Sequence, residues 1–135
     1  MIKRYTSACS EFEDEIRYDP DNFPVMKKLV ICYLKMGNFR KGFELFYSLL
    51  KANPGIILND EYDMQTCPCL EIITDLQASA PDYLSESEYQ MTLGILWSYL
   101  DIKESLKYFK KVRAHGGKVG KVEEIIERLQ AKLPL

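Results

Sequence analysis

At 135 residues, with 47% hydrophobic and 28% charged side chains, the chain suits a single globular domain large enough to bury a core. Its formal charge of -2 gives no bulk attraction for nucleic acid or for a membrane surface. The N-terminal stretch turns polar and acidic by residue 11 without an apolar run, and no segment approaches 18 uncharged apolar residues, so the expectation is a cytoplasmic protein with no secretory signal or membrane span. In that compartment Cys9, Cys32, Cys67 and Cys69 read as reduced thiols, mostly small core residues.

The apolar residues recur at helical spacing in each long segment. The spacing predicts helices over 3–18, 23–36, 39–52, 57–65, 68–80, 85–99, 102–114 and 119–133, the one at 57–65 being stunted or irregular. Capping signals agree. Asp21 and Asn22 precede the second helix, Asn38 the third, and Ser85 opens another with Glu88 three residues later, a capping-box pattern. Pro24 and Pro68 fall near first turns, where a missing N–H does no harm. Gly37-Asn38 marks a turn, and Gly116-Gly117 ends the helix begun at 102. On the last helix Ile125, Ile126, Leu129 and Leu133 form one apolar row, as a polar-faced terminal cap requires.

Two segments end alike. Ala8, Phe12 and Pro20 are matched by Gly42, Phe46 and Pro54, each pair 34 residues apart. A small residue lets two helices approach, an aromatic four residues on fills the space between them, and a proline stops the second helix. On Leu29, Tyr33, Gly37, Phe39, Phe46 and Pro54 the segment 23–54 resembles one full tetratricopeptide repeat, with Gly42 where the family usually has alanine and Met26 where it usually has tryptophan. Residues 1–20 resemble the second half of a repeat. A shortened unit runs from 55 to 81, carrying Cys69, Ile73 and Leu76. A divergent unit runs from 85 to 116, carrying Leu93-Gly94, Trp97, Tyr99, Ser105 and Phe109, and a capping helix covers 118–133. The resemblance implies an all-α fold: one tetratricopeptide-like right-handed superhelix of antiparallel helix pairs, about seven to eight helices in all, closed by a C-terminal capping helix.

Candidate chemistry is sparse. Cys67-Pro68-Cys69 is spaced C-x-C with no second ligand pair, which favours a turn and helix start over a metal or redox site. His115, the sole histidine, sits at a helix C-terminus, where its protonated form suits the dipole. The run 115–122 fails the phosphate-loop spacing, and the acidic cluster at 59–63 lacks the glycine and distal glutamate of a calcium loop. No catalytic residue, cofactor or metal is assigned, and the chain is read as a non-enzyme.

Charge is unevenly distributed. The first 51 residues carry +2, residues 52–102 carry -9 with no Lys or Arg, and the remainder carries +5. Lys103, Lys107, Lys110 and Lys111 fall on one helical face opposite Leu106, Phe109 and Val112. Such a stripe is a solvated face, or steers a charged partner, or pairs with the acidic block of a second copy.

Proteins of this family bind a peptide or helix in a concave groove. Carried over from the family, the groove positions of the clear repeat are Pro24, Lys27, Ile31, Leu34 and Lys35, joined by Gln90 from the divergent repeat. Ile31 and Gly94 occupy the asparagine places of the family's two-carboxylate clamp, so an amphipathic or extended protein segment suits this groove better than an acidic C-terminus. The resemblance therefore implies a protein–protein interaction scaffold, adaptor or chaperone-like, with no small-molecule, nucleic-acid or membrane partner. The alternative is a self-assembling subunit that forms a homodimer or larger homo-oligomer through its terminal helices.

Overall fold

A computed structural model describes residues 2–57, 68–115 and 120–133, with side chains defined from Tyr5 onward and that of residue 56 excepted. Among these residues the fold is all-α, with seven α-helices and no strand. They are α1 (Ile2–Tyr18), α2 (Phe23–Lys35), α3 (Phe39–Ala52), α4 (Cys69–Ala78), α5 (Glu86–Ser98), α6 (Ile102–Ala114) and α7 (Gly120–Gln130). Each lies within two to three residues of an expected span. The expected helix at 57–65 lies outside the described residues apart from Ile57, which follows a 3-10 turn over Pro54–Ile56. No helix among the described residues is long and apolar enough to cross a membrane.

The chain divides into two compact units, Met1–Ile57 and Leu58–Leu135. In the first, α1 packs on α2 and α2 on α3. Asn22 caps α2, its side-chain oxygen accepting from the Val25 N–H at 3.3 Å, with a proline in the first turn. The α2–α3 connection is a Schellman turn. Gly37 adopts φ 81°, the Asn38 N–H donates to Tyr33 O at 2.9 Å, and the Gly37 N–H donates to Leu34 O at 3.2 Å. Asn38 then caps α3 by accepting from the Lys41 N–H at 3.2 Å. One three-residue segment thus ends one helix and starts the next, which turns the chain back on itself.

That reversal brings the helices close. A β-carbon on Gly42 would stand 2.8 Å from Leu34 Cδ2, and Phe46, one turn further on, is fully buried. Leu49 and Leu50 complete the buried face of α3, and Asn53-Pro54 ends it.

The second unit repeats this logic with different residues. A full capping box starts α5: the Glu88 N–H donates to Ser85 Oγ at 3.1 Å and the Ser85 N–H to Glu88 Oε1 at 2.9 Å. Gly94 lies so near α6 that a β-carbon there would stand 2.8 Å from Phe109 Cε2 and 3.0 Å from its Cδ2. Ser105 is fully buried and donates to Gly94 O at 2.5 Å, so the small residue and the close approach are one device. Val122, Ile125, Ile126 and Leu129 turn one apolar row of α7 inward, with Glu123 and Glu127 outward. Leu133, expected on the same helix, lies beyond its end and is only partly buried.

These contacts predict an asymmetry. Gly94→Ala drives a methyl group into the edge of a fully buried ring that has nowhere to go, and should cost about 1–3 kcal/mol. Gly42→Ala meets the aliphatic side chain of Leu34, Cδ2 at 2.8 Å and Cγ at 3.1 Å, which can turn more easily than a ring, and recovers about 1 kcal/mol of helix propensity, so it should cost less. Thermal unfolding of the two variants checks the ranking; equal melting temperatures would contradict it.

Candidate functional site

One concavity of the first unit is an open cleft of about 500 Å³ in which α1, α2 and α3 each contribute one face. The contributing residues obey helical spacing: Glu13, Ile16 and Arg17 on α1, Leu29 and Tyr33 on α2, and Lys41, Glu44, Leu45 and Ser48 on α3. Leu29 is buried at the floor, with Ile16, Tyr33 and Leu45 partly buried around it. This floor is the outer layer of a core cluster that also holds Cys9, Cys32 and Phe12. Arg17, Lys41, Glu44 and Ser48 are exposed along the rim.

Opposed charges are held at both edges. Tyr33 Oη donates to Glu13 Oε2 at 2.7 Å, fixing that carboxylate over the α1–α2 seam. Lys41 Nζ lies 5.7 Å from the centre of the Tyr33 ring, and Arg17 pairs with Asp14 at 3.1 Å on the exposed side of α1. Each wall therefore offers one cation and one carboxylate around an apolar floor.

The groove positions carried over from the family lie elsewhere. Lys27, Ile31 and Leu34 are 2%, 3% and 8% exposed, so this row of α2 is core and not an open wall. Lys27 Nζ donates to Ile57 O at 3.3 Å, a buried cation tied to backbone. Lys35 is partly buried with its ammonium 5.8 Å from the Tyr5 ring centre. Pro24 is exposed in the first turn of α2. In the second unit Gln90 is partly buried. Its amide donates to Glu86 Oε1 at 2.8 Å, while its Oε1, like Trp97 Nε1 on the same helix, is buried without a hydrogen-bond partner. The physical reason for the difference on α2 is its composition. Val25, Leu29, Val30, Ile31, Cys32 and Leu34 leave too little polar surface for two open faces, and the row that lines the cleft is the one through Leu29 and Tyr33.

Other candidate residues are placed simply. Cys69 is fully buried at the start of α4, and Cys67 lies outside the described residues, as do 59–63 and 116–119. His115 is exposed at the C-cap of α6, where its N–H donates to Lys111 O at 3.2 Å. Among the described residues no group of three or more His, Cys, Asp and Glu side chains is placed to hold a metal ion.

Beneath the cleft Cys9 and Cys32 face each other as free thiols within a hydrogen bond's reach. Burial pushes the Cys32 thiol up from 9.0 to about 12, the neighbouring Cys9 adding to it, and burial raises Cys9 too. Burial also raises the Tyr33 hydroxyl, reinforced by its bond to Glu13. These groups are neutral when protonated, so the nucleophilic thiolate is suppressed.

The comparisons add no relative: no family model, no curated protein and no solved structure matches the chain.

Two expectations follow from the buried groups. Because the folded thiols hold their protons more tightly than unfolded ones, their contribution to stability is complete below about pH 9 and is lost as pH rises towards 12. Denaturant unfolding should show stability falling across that alkaline window, with a shallower fall in a Cys9→Ala, Cys32→Ala double variant; an unchanged slope would contradict the assignment. Lys27→Glu sets an anion against a buried carbonyl oxygen and should cost about 3–5 kcal/mol, whereas Ser48→Arg on the exposed cleft rim should cost less than about 0.5 kcal/mol. Circular dichroism melts of both variants check this.

Proposed function

We propose that this chain is a non-enzymatic protein–protein interaction scaffold of tetratricopeptide-like architecture, and that it binds a peptide or helix of a partner protein. The observation that carries the reading is the cleft: three helices present one face each to a concavity with an apolar floor, within the roughly 300–1,000 Å³ range of ligand-sized sites. Its paired charges, Glu13 and Arg17 on one wall and Lys41 and Glu44 on the other, fit a short amphipathic segment that carries both signs beside an apolar anchor. The Schellman turn at Gly37, the close approach at Gly42 and the buried Phe46 support the repeat architecture, since each meets the steric need that the family pattern encodes. A right-handed superhelix and a cytoplasmic setting belong to the same proposal. The binding surface is the cleft and not the row Lys27, Ile31 and Leu34, because a groove needs side chains that a ligand can reach.

Peptide selection tests the reading directly. Amphipathic peptides selected from a displayed random library should bind the full chain and lose at least tenfold in affinity, about 1.4 kcal/mol, to Ser48→Arg or Glu44→Lys. Titration calorimetry with the folded variants gives the measurement. A library that yields no binder, or binders indifferent to both substitutions, would remove the cleft as the site.

A further inference from the structure

A second surface, independent of the cleft, points to a specific partner. On α6 the side chains of Lys103, Lys107 and Lys111 are exposed at i, i+4 and i+8, flanked by the partly exposed Lys110. The opposite face carries Leu106, Phe109 and Val112 into the core, so the lysines cannot turn inward. On α1 Glu11 and Glu15 are exposed at i and i+4. Asp19 follows at i+8, its N–H still donating to Glu15 O at 2.9 Å so that the helical turn carries through it. Asp14 flanks this row, and Tyr18 stands beside it at 91% exposure, the most exposed large apolar side chain described.

The two rows match in sign, number and spacing. Residues four apart on a helix rise about 6 Å, so each row sets three like charges over roughly 12 Å. A cationic row and an anionic row of equal period can dock face to face with every charge opposite its counterpart, whichever way the helices run. Tyr18 supplies what a purely ionic seam lacks, an aromatic ring that a lysine of the facing row can cover. The molecule already uses that contact at Lys111 with Tyr108, 5.0 Å, and at Lys51 with Tyr47, 5.0 Å. Lys107 reaches Glu104 at 2.6 Å, and Arg17 reaches Asp14 at 3.1 Å; both are exposed pairs between near neighbours on one helix, which exchange readily for a partner.

We infer that the acidic row of α1 docks on the lysine row of α6 of a second copy of this chain. The contact joins two different surfaces, so it either occurs twice in a two-fold dimer or repeats head to tail in a chain or ring. Because the charges stay near solvent, the association is salt-sensitive: ions at about 0.5 M shorten the Debye length to under about 5 Å, less than one step of either row.

Sedimentation velocity on the full chain, over a concentration series at low and high salt, reads the outcome. The wild type should self-associate at low salt and weaken at least tenfold at about 0.5 M salt. The triple variant Lys103→Glu, Lys107→Glu, Lys111→Glu should be monomeric, as should Glu11→Lys, Glu15→Lys, Asp19→Lys. Mixed in equal amounts, the two variants should associate again, because each then carries the complement of the other. All these residues are exposed, and unchanged circular dichroism establishes that each variant is folded. A wild type that stays monomeric at every concentration overturns the inference, as does association that survives both reversals or a mixture that fails to restore it. A monomeric wild type whose lysine row instead binds polyglutamate, duplex DNA or anionic vesicles overturns it too, and assigns the row to that ligand.

Discussion

Each unit depends on a helix pair brought close at a glycine. In the first unit the constraint falls at Gly42 against Leu34, in the second at Gly94 against Phe109. Dispersion forces fall off steeply with separation, so removing one β-carbon lets many surrounding atoms reach contact distance at once. The large buried side chains Phe46 and Phe109 then fill the remaining space, and the rest of each core closes round them. The second unit adds a polar restraint, since Ser105 can donate to Gly94 O only when the helices are this close. The glycine position has moved between the units, from the second helix of one pair to the first helix of the other. The contact is nevertheless of the same kind, a small residue facing a large one across a helix seam.

Once these pairs are closed, the remaining faces are sorted by what they can afford to bury. The α2 helix is apolar nearly all round, so both of its principal rows turn inward. One row, Lys27, Ile31 and Leu34, is buried outright. The other, Leu29 and Tyr33, becomes the floor of the cleft beneath α1 and α3. Lys27 is accommodated by donating to the Ile57 carbonyl, which joins the 3-10 turn after α3 to the middle of α2. The hydrogen bond from Tyr33 to Glu13 does the corresponding work on the cleft side, holding α1 to α2 at the edge where solvent begins.

The outer surfaces carry a different kind of information. On α6 the charged face is nearly uniform in sign, and on α1 the row Glu11, Glu15 and Asp19 carries the opposite sign over two turns, with Arg17 beside it paired to Asp14. Nothing in the packing of either helix requires that, since any polar residue would serve on a solvated face. The scaffold reading and the self-association inference therefore concern separate surfaces, the mixed-charge cleft and the two single-sign rows.

Local chemistry is what the sequence determined by itself. Helix spans, the caps at Asn22, Asn38 and Ser85, the turn at Gly37, the small residue at Gly42 and the single-sign row on α6 were all legible, because each depends on neighbours within about one or two helical turns. The cleft was not. Glu13 and Tyr33 are twenty residues apart, Ile16 and Leu45 further still, and no periodicity on one helix reports what faces it on another. The row through Lys27 and Ile31 shows the converse. The family resemblance puts Lys27 and Ile31 on a groove, and only tertiary packing decided that both are buried, with Ile57 O taking the ammonium. Secondary structure follows from hydrogen bonds and sterics between near neighbours, whereas the choice of which apolar face is covered depends on surface area contributed by distant parts of the chain.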